Sequence, residues 1–255
     1  MSEGRLDELA SRLSEAWDHA RAIPAPTSVE PTLSIEDAYV IQEMIIATRL
    51  ERDRSRAGWK MGLTSADPPA TPIVGTLLSD MVVPSGSELD LGSMVAPMVE
   101  AELVVRIGEP IDEPRTVAEL EQGPHEVGPG LEVIDYRTVD SRGPIDWVAD
   151  NSTVAFAVVG ALVPVSDVVM TGVEATLHDE ERELAKGPAS RVMGNPLAAV
   201  SWLSEHLITR GHVLEAGQVV LTGSLTGHHT VPTGRISEYT ADFGTLGSVS
   251  VRFRP

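Results

Sequence analysis

Cysteine is absent from the 255-residue sequence, which excludes a disulfide framework, a thiolate zinc site, an iron–sulfur cluster and a cysteine nucleophile. Any metal must then bind through oxygen or imidazole, which favours Mg²⁺, Mn²⁺ or Ca²⁺ over softer ions. Aromatic residues are scarce, at 4%, against 42% hydrophobic residues overall, so the core must be aliphatic. No apolar run approaches the roughly 18 residues of a membrane span. The N-terminus is charged and amphipathic, without the apolar stretch of a signal peptide, so the chain reads as soluble and cytoplasmic. Basic residues are outnumbered, 19 to 38, giving a formal net charge of −19. That balance argues against a nucleic-acid partner, because phosphate binding needs a basic surface. Solubility accounts for most of it; clustered acids also attract a cation.

What is present divides the chain in two. Leu6, Leu9, Leu13 and Trp17 recur at helical spacing, and a Pro-containing break follows at Ile23–Pro31. Ser34-Ile35-Glu36-Asp37 is a helix start signal, with Ala38, Ile41, Ile45 and Thr48 expected on the inner face. From Gly58 onward short strands are predicted: Trp59–Leu63, Val99–Ile107, Leu131–Tyr136, Val154–Leu162, Val219–Thr222 and Ser248–Phe253. One helix interrupts them, capped by Asn195 and ended by Gly211. The expectation is an α+β fold, with a helical N-terminal region over 1–57 packed on a β-rich catalytic core over 58–255.

The segment Val99–Ile107 carries the most chemistry. Its odd-numbered positions are apolar, so Glu100 and Glu102 share the other strand face with Val104. Like charges that close repel unless a cation sits between them or one is protonated. A Glu-x-Glu pair on a solvated strand face is the plainer reading. A second segment, Pro129–Arg137, is an apolar strand with Glu132 and Asp135 inside it, and acids there are costly unless paired or bound to metal. Three oxygen ligands from two strands would leave open positions for water and substrate, as in a catalytic Mg²⁺ or Mn²⁺ site. By parity Asp135 falls on the opposite face from Glu132, where it reads as structural, with Arg137 as partner. Lys60 lies inside an apolar strand, where desolvation would lower its pKa and suit proton transfer; a paired structural lysine is the alternative. His228 and His229 lack the spacing of a zinc pair and read as loop residues. Thr222-Gly223-Ser224 is not a phosphate loop but a candidate pocket wall, and no Gly-x-Ser-x-Gly motif points to a serine hydrolase.

Several segments, in order and spacing, resemble the 2-keto-4-pentenoate hydratase and 4-oxalocrotonate decarboxylase branch of the fumarylacetoacetate hydrolase superfamily. They are Asp37–Gln42, Gly58–Thr64, Gly75–Met81, Val99–Glu102, Leu131–Arg137, Val148–Ser152, Gly194–Leu203 and Leu246–Val249. The resemblance implies a helical region on a twisted β-rich core, Glu100, Glu102 and Glu132 as ligands of Mg²⁺ or Mn²⁺, and Lys60 and Asp80 as catalytic residues. It implies a homo-oligomer acting on a small 2-oxo or enolic carboxylate. Substrate contacts are expected from Thr64, Asn151, Ser152 and Ser224, with a turn cap as the alternative for Asn151 and Ser152, and a turn residue as the plainer reading of Asp80. The stretch Ser65–Pro72, Tyr136 and Thr226–Thr230 depart from the usual pattern and would border the substrate tail. The implied activity is hydration of a 2-hydroxydienoate to a 4-hydroxy-2-oxo acid in aromatic meta-cleavage catabolism. Decarboxylation of 4-oxalocrotonate is the alternative. An acylpyruvate-type carbon–carbon hydrolase, or a non-catalytic accessory protein, is weaker.

Overall fold

The structure, a computed structural model, describes residues 1–65, 70–141 and 143–255. The middle of the proline-rich stretch after Thr64 therefore lies outside the described residues. Helix α1 (Glu3–Asp18) buries Leu6, Leu9 and Leu13, the stripe that its three- and four-residue spacing predicts. Helix α2 (Ile35–Leu50) begins at a full capping box: Ser34 Oγ accepts from the Asp37 N–H, and the Asp37 carboxylate accepts from the Ser34 N–H. Ala38, Ile41 and Ile45 face inward as expected, but Thr48 is exposed and Arg49 is buried in its place. The reason is electrostatic and aromatic: Arg49 pairs with Asp18 at 2.9 Å and lies over the Trp17 ring at 3.8 Å. Between these helices, Ile23–Pro24 pairs in parallel with Thr138–Val139.

The strands then run β1 (Arg56–Gly62), β2 (Ile73–Leu78), β3 (Val82–Pro84), β4 (Ser87–Asp90), β5 (Pro97–Arg106), β6 (Glu126–Asp135) and β7 (Val154–Val159). They continue as β8 (Glu174–His178), β9 (Glu183–Pro188), β10 (Val219–Ser224), β11 (Ser237–Asp242) and β12 (Ser248–Arg254). The larger sheet has the order β2-β1-β10-β5-β6-β7-β3, and the smaller has β9-β8-β11-β12-β4. β10 is parallel to β1 and antiparallel to β5, so it carries the chain's late segment into the middle of the early strands. Short helix α3 (Pro144–Ala149) lies against α2. Helix α4 (Pro196–Thr209), capped by Asn195, lies against β10. One aliphatic cluster joins the inner faces of both sheets to α1, α2 and α4. Among the described residues, no helix is long and apolar enough to cross a membrane. The fold is α+β, helices on a mixed β core.

Candidate active site

The alternation along β5 does what its pattern predicts. Val99, Ala101, Leu103 and Val105 are wholly buried in the main core, and Glu100 and Glu102 turn to the other face. Antiparallel β6 brings Glu132 directly opposite Glu100, and Gly130 opposite Glu102. Like charges in directly opposed positions destabilise a sheet. Here the conflict is severe, because relative exposure is 9% at Glu100 and 0% at Glu102 and Glu132. One carboxylate oxygen from each lies within 4.8 Å of the others. Among the described residues, Glu102 Oε1 and both Glu132 oxygens have no hydrogen-bond partner. Burial, then the charges of Glu132 and Glu100, hold the Glu102 carboxyl well above its ordinary range. Burial likewise raises Glu132, to about 7, although Lys60 pulls the other way.

Lys60 Nζ is the cation set against these acids, 3.1 Å from Glu132 Oε1. Nζ also donates to the Ser152 carbonyl, at 2.9 Å. Burial alone would lower the Lys60 pKa, as the sequence implies. The fields of Glu132, Glu100 and Glu102 outweigh it, so the net shift is upward and Lys60 is held as an ammonium. The seat of Lys60 is unusual backbone. Asn151, Ser152 and Thr153 are consecutive non-glycine residues in the left-handed region, with φ of 51°, 49° and 61°. Each costs on the order of 1–3 kcal/mol unless its surroundings enforce it. Asn151 supplies much of the enforcement: Oδ1 accepts from the Thr76 N–H at 2.8 Å, and Nδ2 donates to the Thr76 carbonyl at 2.9 Å. Ser152 Oγ donates to the Val74 carbonyl, and Thr153 Oγ1 donates to the Ser152 carbonyl. The Asn151 amide is thus tied to β2 at both atoms.

Gly223 completes the floor. A register shift between Leu221 and Ser224 breaks the β10–β5 ladder and frees the Gly223 N–H, which donates to Glu102 Oε2 at 2.8 Å. Gly223 has φ +120°, and a Cβ there would overlap Thr64 Oγ1, so only glycine fits. Above the glutamates opens a cavity of about 340 Å³, lined by Lys60, Thr64, Glu100, Ser152 and Ser224 among others. Met61, Leu63, Ile73, Ile134 and Trp147 form its apolar wall. Tyr136, Arg191 and His228 also line it. Tyr136 and His228 belong to the segments expected to border the substrate tail. Arg191 was missed, since it sits in an irregular turn after β9 with no periodic signal around it.

The structure does not bring Asp80 into this group. Its side chain is half exposed in the turn between β2 and β3 and pairs with Arg54 at 2.6 Å, beside a different hollow lined by Trp17 and Arg137. The β2 strand ends at Leu78, so parity no longer aims residue 80 at the site. Asp135 is also re-partnered. Its Oδ1 accepts from the Val95 and Ala96 N–H groups, and Arg137 pairs instead with buried Asp150 at 2.7 Å. His229 is held in a two-residue strand against β5, and His228 Nδ1 stands 3.7 Å from Glu100 Oε1.

All of the cavity-lining cluster falls within residues 53–254, which match the family described as fumarylacetoacetate (FAA) hydrolase, C-terminal. The chain belongs to the fumarylacetoacetate hydrolase family. Among relatives of this family member, the 2-oxo-hept-4-ene-1,7-dioate hydratase of Escherichia coli is 30% identical over 259 residues, covering 96% of each chain. The 2-keto-4-pentenoate hydratase of Paraburkholderia phymatum is 31% identical, with 98% of each chain covered. The structure of 4-oxalocrotonate decarboxylase from Pseudomonas putida G7, complexed with magnesium and adipate, superposes with a TM-score of 0.93 at 28% identity, covering 100% of this chain and 99% of that one. The donor set of this family member independently fits a hard divalent cation: three buried carboxylates, of which Glu102 Oε1 and Glu132 Oε2 have neither a hydrogen bond nor an ion pair among the described residues, and one compensating ammonium.

Proposed function

We propose that the chain is a lyase, a divalent-metal-dependent hydratase that converts a 2-hydroxydienoate into a 4-hydroxy-2-oxo acid in aromatic meta-cleavage catabolism. The observation that carries this reading is the convergence of Glu100, Glu102 and Glu132 with unpartnered oxygens beside Lys60, under a small cavity. These three glutamates would hold Mg²⁺ or Mn²⁺. Bound there, the ion supplies a Lewis acid that polarises the 2-oxo group and balances the charge of the acids. The chain's own residues do the rest. Lys60, kept as an ammonium by its neighbours, lends positive charge to the C2 oxygen when water adds to the conjugated ketone and negative charge moves onto that oxygen. The Ser152 carbonyl fixes the direction of that ammonium, so it needs no reorganisation during the reaction. Thr64 and Ser224 line the cavity and would position substrate and water, while the apolar wall shields the hydrocarbon portion. Ketonisation moves the enol proton from the C2 oxygen to C5 and leaves C3=C4 conjugated with the ketone; water then adds, hydroxyl to C4 and proton to C3. Carbon–carbon hydrolysis fits less well, because His228 and Glu100 are too far apart at 3.7 Å for a hydrogen-bonded acid–base pair.

Decarboxylation of 4-oxalocrotonate is the second reading, supported by the full-length structural likeness to that decarboxylase. A small-molecule enzyme of the cytoplasm, assembled as a homo-oligomer without nucleic-acid or membrane partners, accords with either. The test is ultraviolet absorbance of 2-hydroxypenta-2,4-dienoate and of 2-hydroxyhepta-2,4-diene-1,7-dioate, with Mg²⁺ or Mn²⁺. Loss of the dienol band with a 4-hydroxy-2-oxo product is expected for at least one. No change in either refutes the hydratase; carbon dioxide release from 4-oxalocrotonate instead establishes the second reading.

A further inference from the structure

We propose that Arg191 reads a second carboxylate on the substrate, so that the preferred substrate is a dicarboxylic 2-hydroxydienoate, not a monocarboxylic one. This rests on the hydratase reading and narrows its substrate class. The positive groups of the cavity differ in what holds them. Lys60 at the floor is buried and occupied, with Glu132 and the Ser152 carbonyl as partners. Arg191 is exposed at the cavity wall and forms no ion pair among the described residues. The hydrogen bond recorded for it runs from Nη1 to the Leu225 carbonyl at 3.4 Å, at the long limit for such a bond. A guanidinium has five N–H donors in a fixed fork, matched to a carboxylate, so most of this one is free for a ligand.

Depth decides which end of the substrate meets it. Glu102 and Glu132 are wholly buried beneath the cavity, whereas Arg191 and His228 are its exposed flank. A 2-oxo acid held by its C1 and C2 oxygens at the floor must send its far end outward. An alkenyl tail gains contact with Met61, Ile134 and Trp147 but leaves Arg191 without a partner. A tail that ends in a carboxylate satisfies both walls. Charge agrees: the field of Arg191 reaches Glu100 without an ion-pair contact, and Lys60 with a divalent ion would offset the three glutamates, which leaves the guanidinium able to take a substrate carboxylate.

The test uses two unreactive, length-matched ligands, 2-oxoadipate and 2-oxohexanoate, in calorimetric titrations of the Mg²⁺-loaded full chain. Wild type should bind 2-oxoadipate about ten-fold or more tightly than 2-oxohexanoate, the scale of one charge-assisted pair. Arg191→Gln should abolish that preference and leave 2-oxohexanoate within about two-fold, with Arg191→Lys between. An unchanged melting temperature in Arg191→Gln verifies its fold. Equal binding of the two ligands by wild type, equal loss of both in the variant, or no binding of 2-oxoadipate overturns the assignment. Turnover is judged apart: a chain that binds 2-oxoadipate through Arg191 yet hydrates neither dienoate refutes the hydratase and keeps the carboxylate reader.

Discussion

Replacing Glu102 by Gln should make the metal-free protein more stable and the metal-loaded protein less so. Glu102 is fully buried and held well above its ordinary value of 4.5 by burial, Glu132 and Glu100. The folded chain therefore keeps a proton that the unfolded chain releases. That burden is absent below about pH 4.5 and grows above it by about 1.4 kcal/mol per pH unit for as long as the folded carboxyl keeps its proton. Gln removes it and still accepts from the Gly223 N–H, at the cost of an unpartnered buried amide N–H of about 1 kcal/mol. The burden exceeds that cost from about one pH unit above 4.5, so the variant is the more stable protein near pH 7, each net kcal/mol raising the melting temperature by about 2–4 °C in a domain of this size. With Mg²⁺ at about 100 times its Kd, wild type should gain ~2.7 kcal/mol and the variant almost nothing, so the ranking inverts. Thermal unfolding of both proteins in chelator and in Mg²⁺, at about pH 5 and about pH 7, reads all of this. The reasoning fails if Glu102→Gln is the less stable protein in chelator near neutral pH, or if Mg²⁺ stabilises both equally.

Three further outcomes follow from named contacts. Gly223→Ala should lose at least about 3 kcal/mol, because it adds a Cβ against Thr64 at φ +120°; urea unfolding measures it, and an unaltered midpoint refutes the close packing. Arg137→Met should cost roughly 3–5 kcal/mol by leaving Asp150, already raised to about 6 by burial, without its counter-ion. Without Arg137 the Asp150 carboxyl is raised further, so that loss should shrink as pH falls toward about 6 and level off below it; a pH-independent loss would mean that packing alone is responsible. Asn151→Ala should lower the melting temperature and kcat while KM stays within about two-fold, since the amide holds β2; a large KM rise with normal kcat would support the substrate-contact role.

The carboxylates were legible because strand parity is a local property. Alternation in Val99–Ile107 places Glu100 and Glu102 on one face, and the register of β6 then supplies Glu132. Helix starts were legible for the same reason, the Ser34–Asp37 box and the Asn195 cap being complete within a few residues. Ion-pair choice was not. Arg137 is two residues from Asp135 but reaches Asp150, because the backbone N–H groups of Val95 and Ala96 already engage Asp135. Of the smaller sheet only β12 was legible; β4, β8, β9 and β11 are four to six residues long, too short for their alternation to stand out. Asp80 and Arg191 lie in turns, where side-chain direction depends on long-range packing and not on period.

The left-handed run at Asn151–Thr153 bears on how the protein acquires its activity. Its anchors lie far back along the chain, 75 residues to Thr76, 78 to Val74 and 92 to Lys60. Contacts that span such loops must overcome a large closure entropy and form late. The three glutamates, in contrast, come from the neighbouring strands β5 and β6. On a nascent chain the acids therefore meet before their lysine has its carbonyl seat, and an early cation would organise the half-built site. Folding rates should be nearly insensitive to Asn151→Ala while unfolding accelerates, which stopped-flow kinetics can resolve.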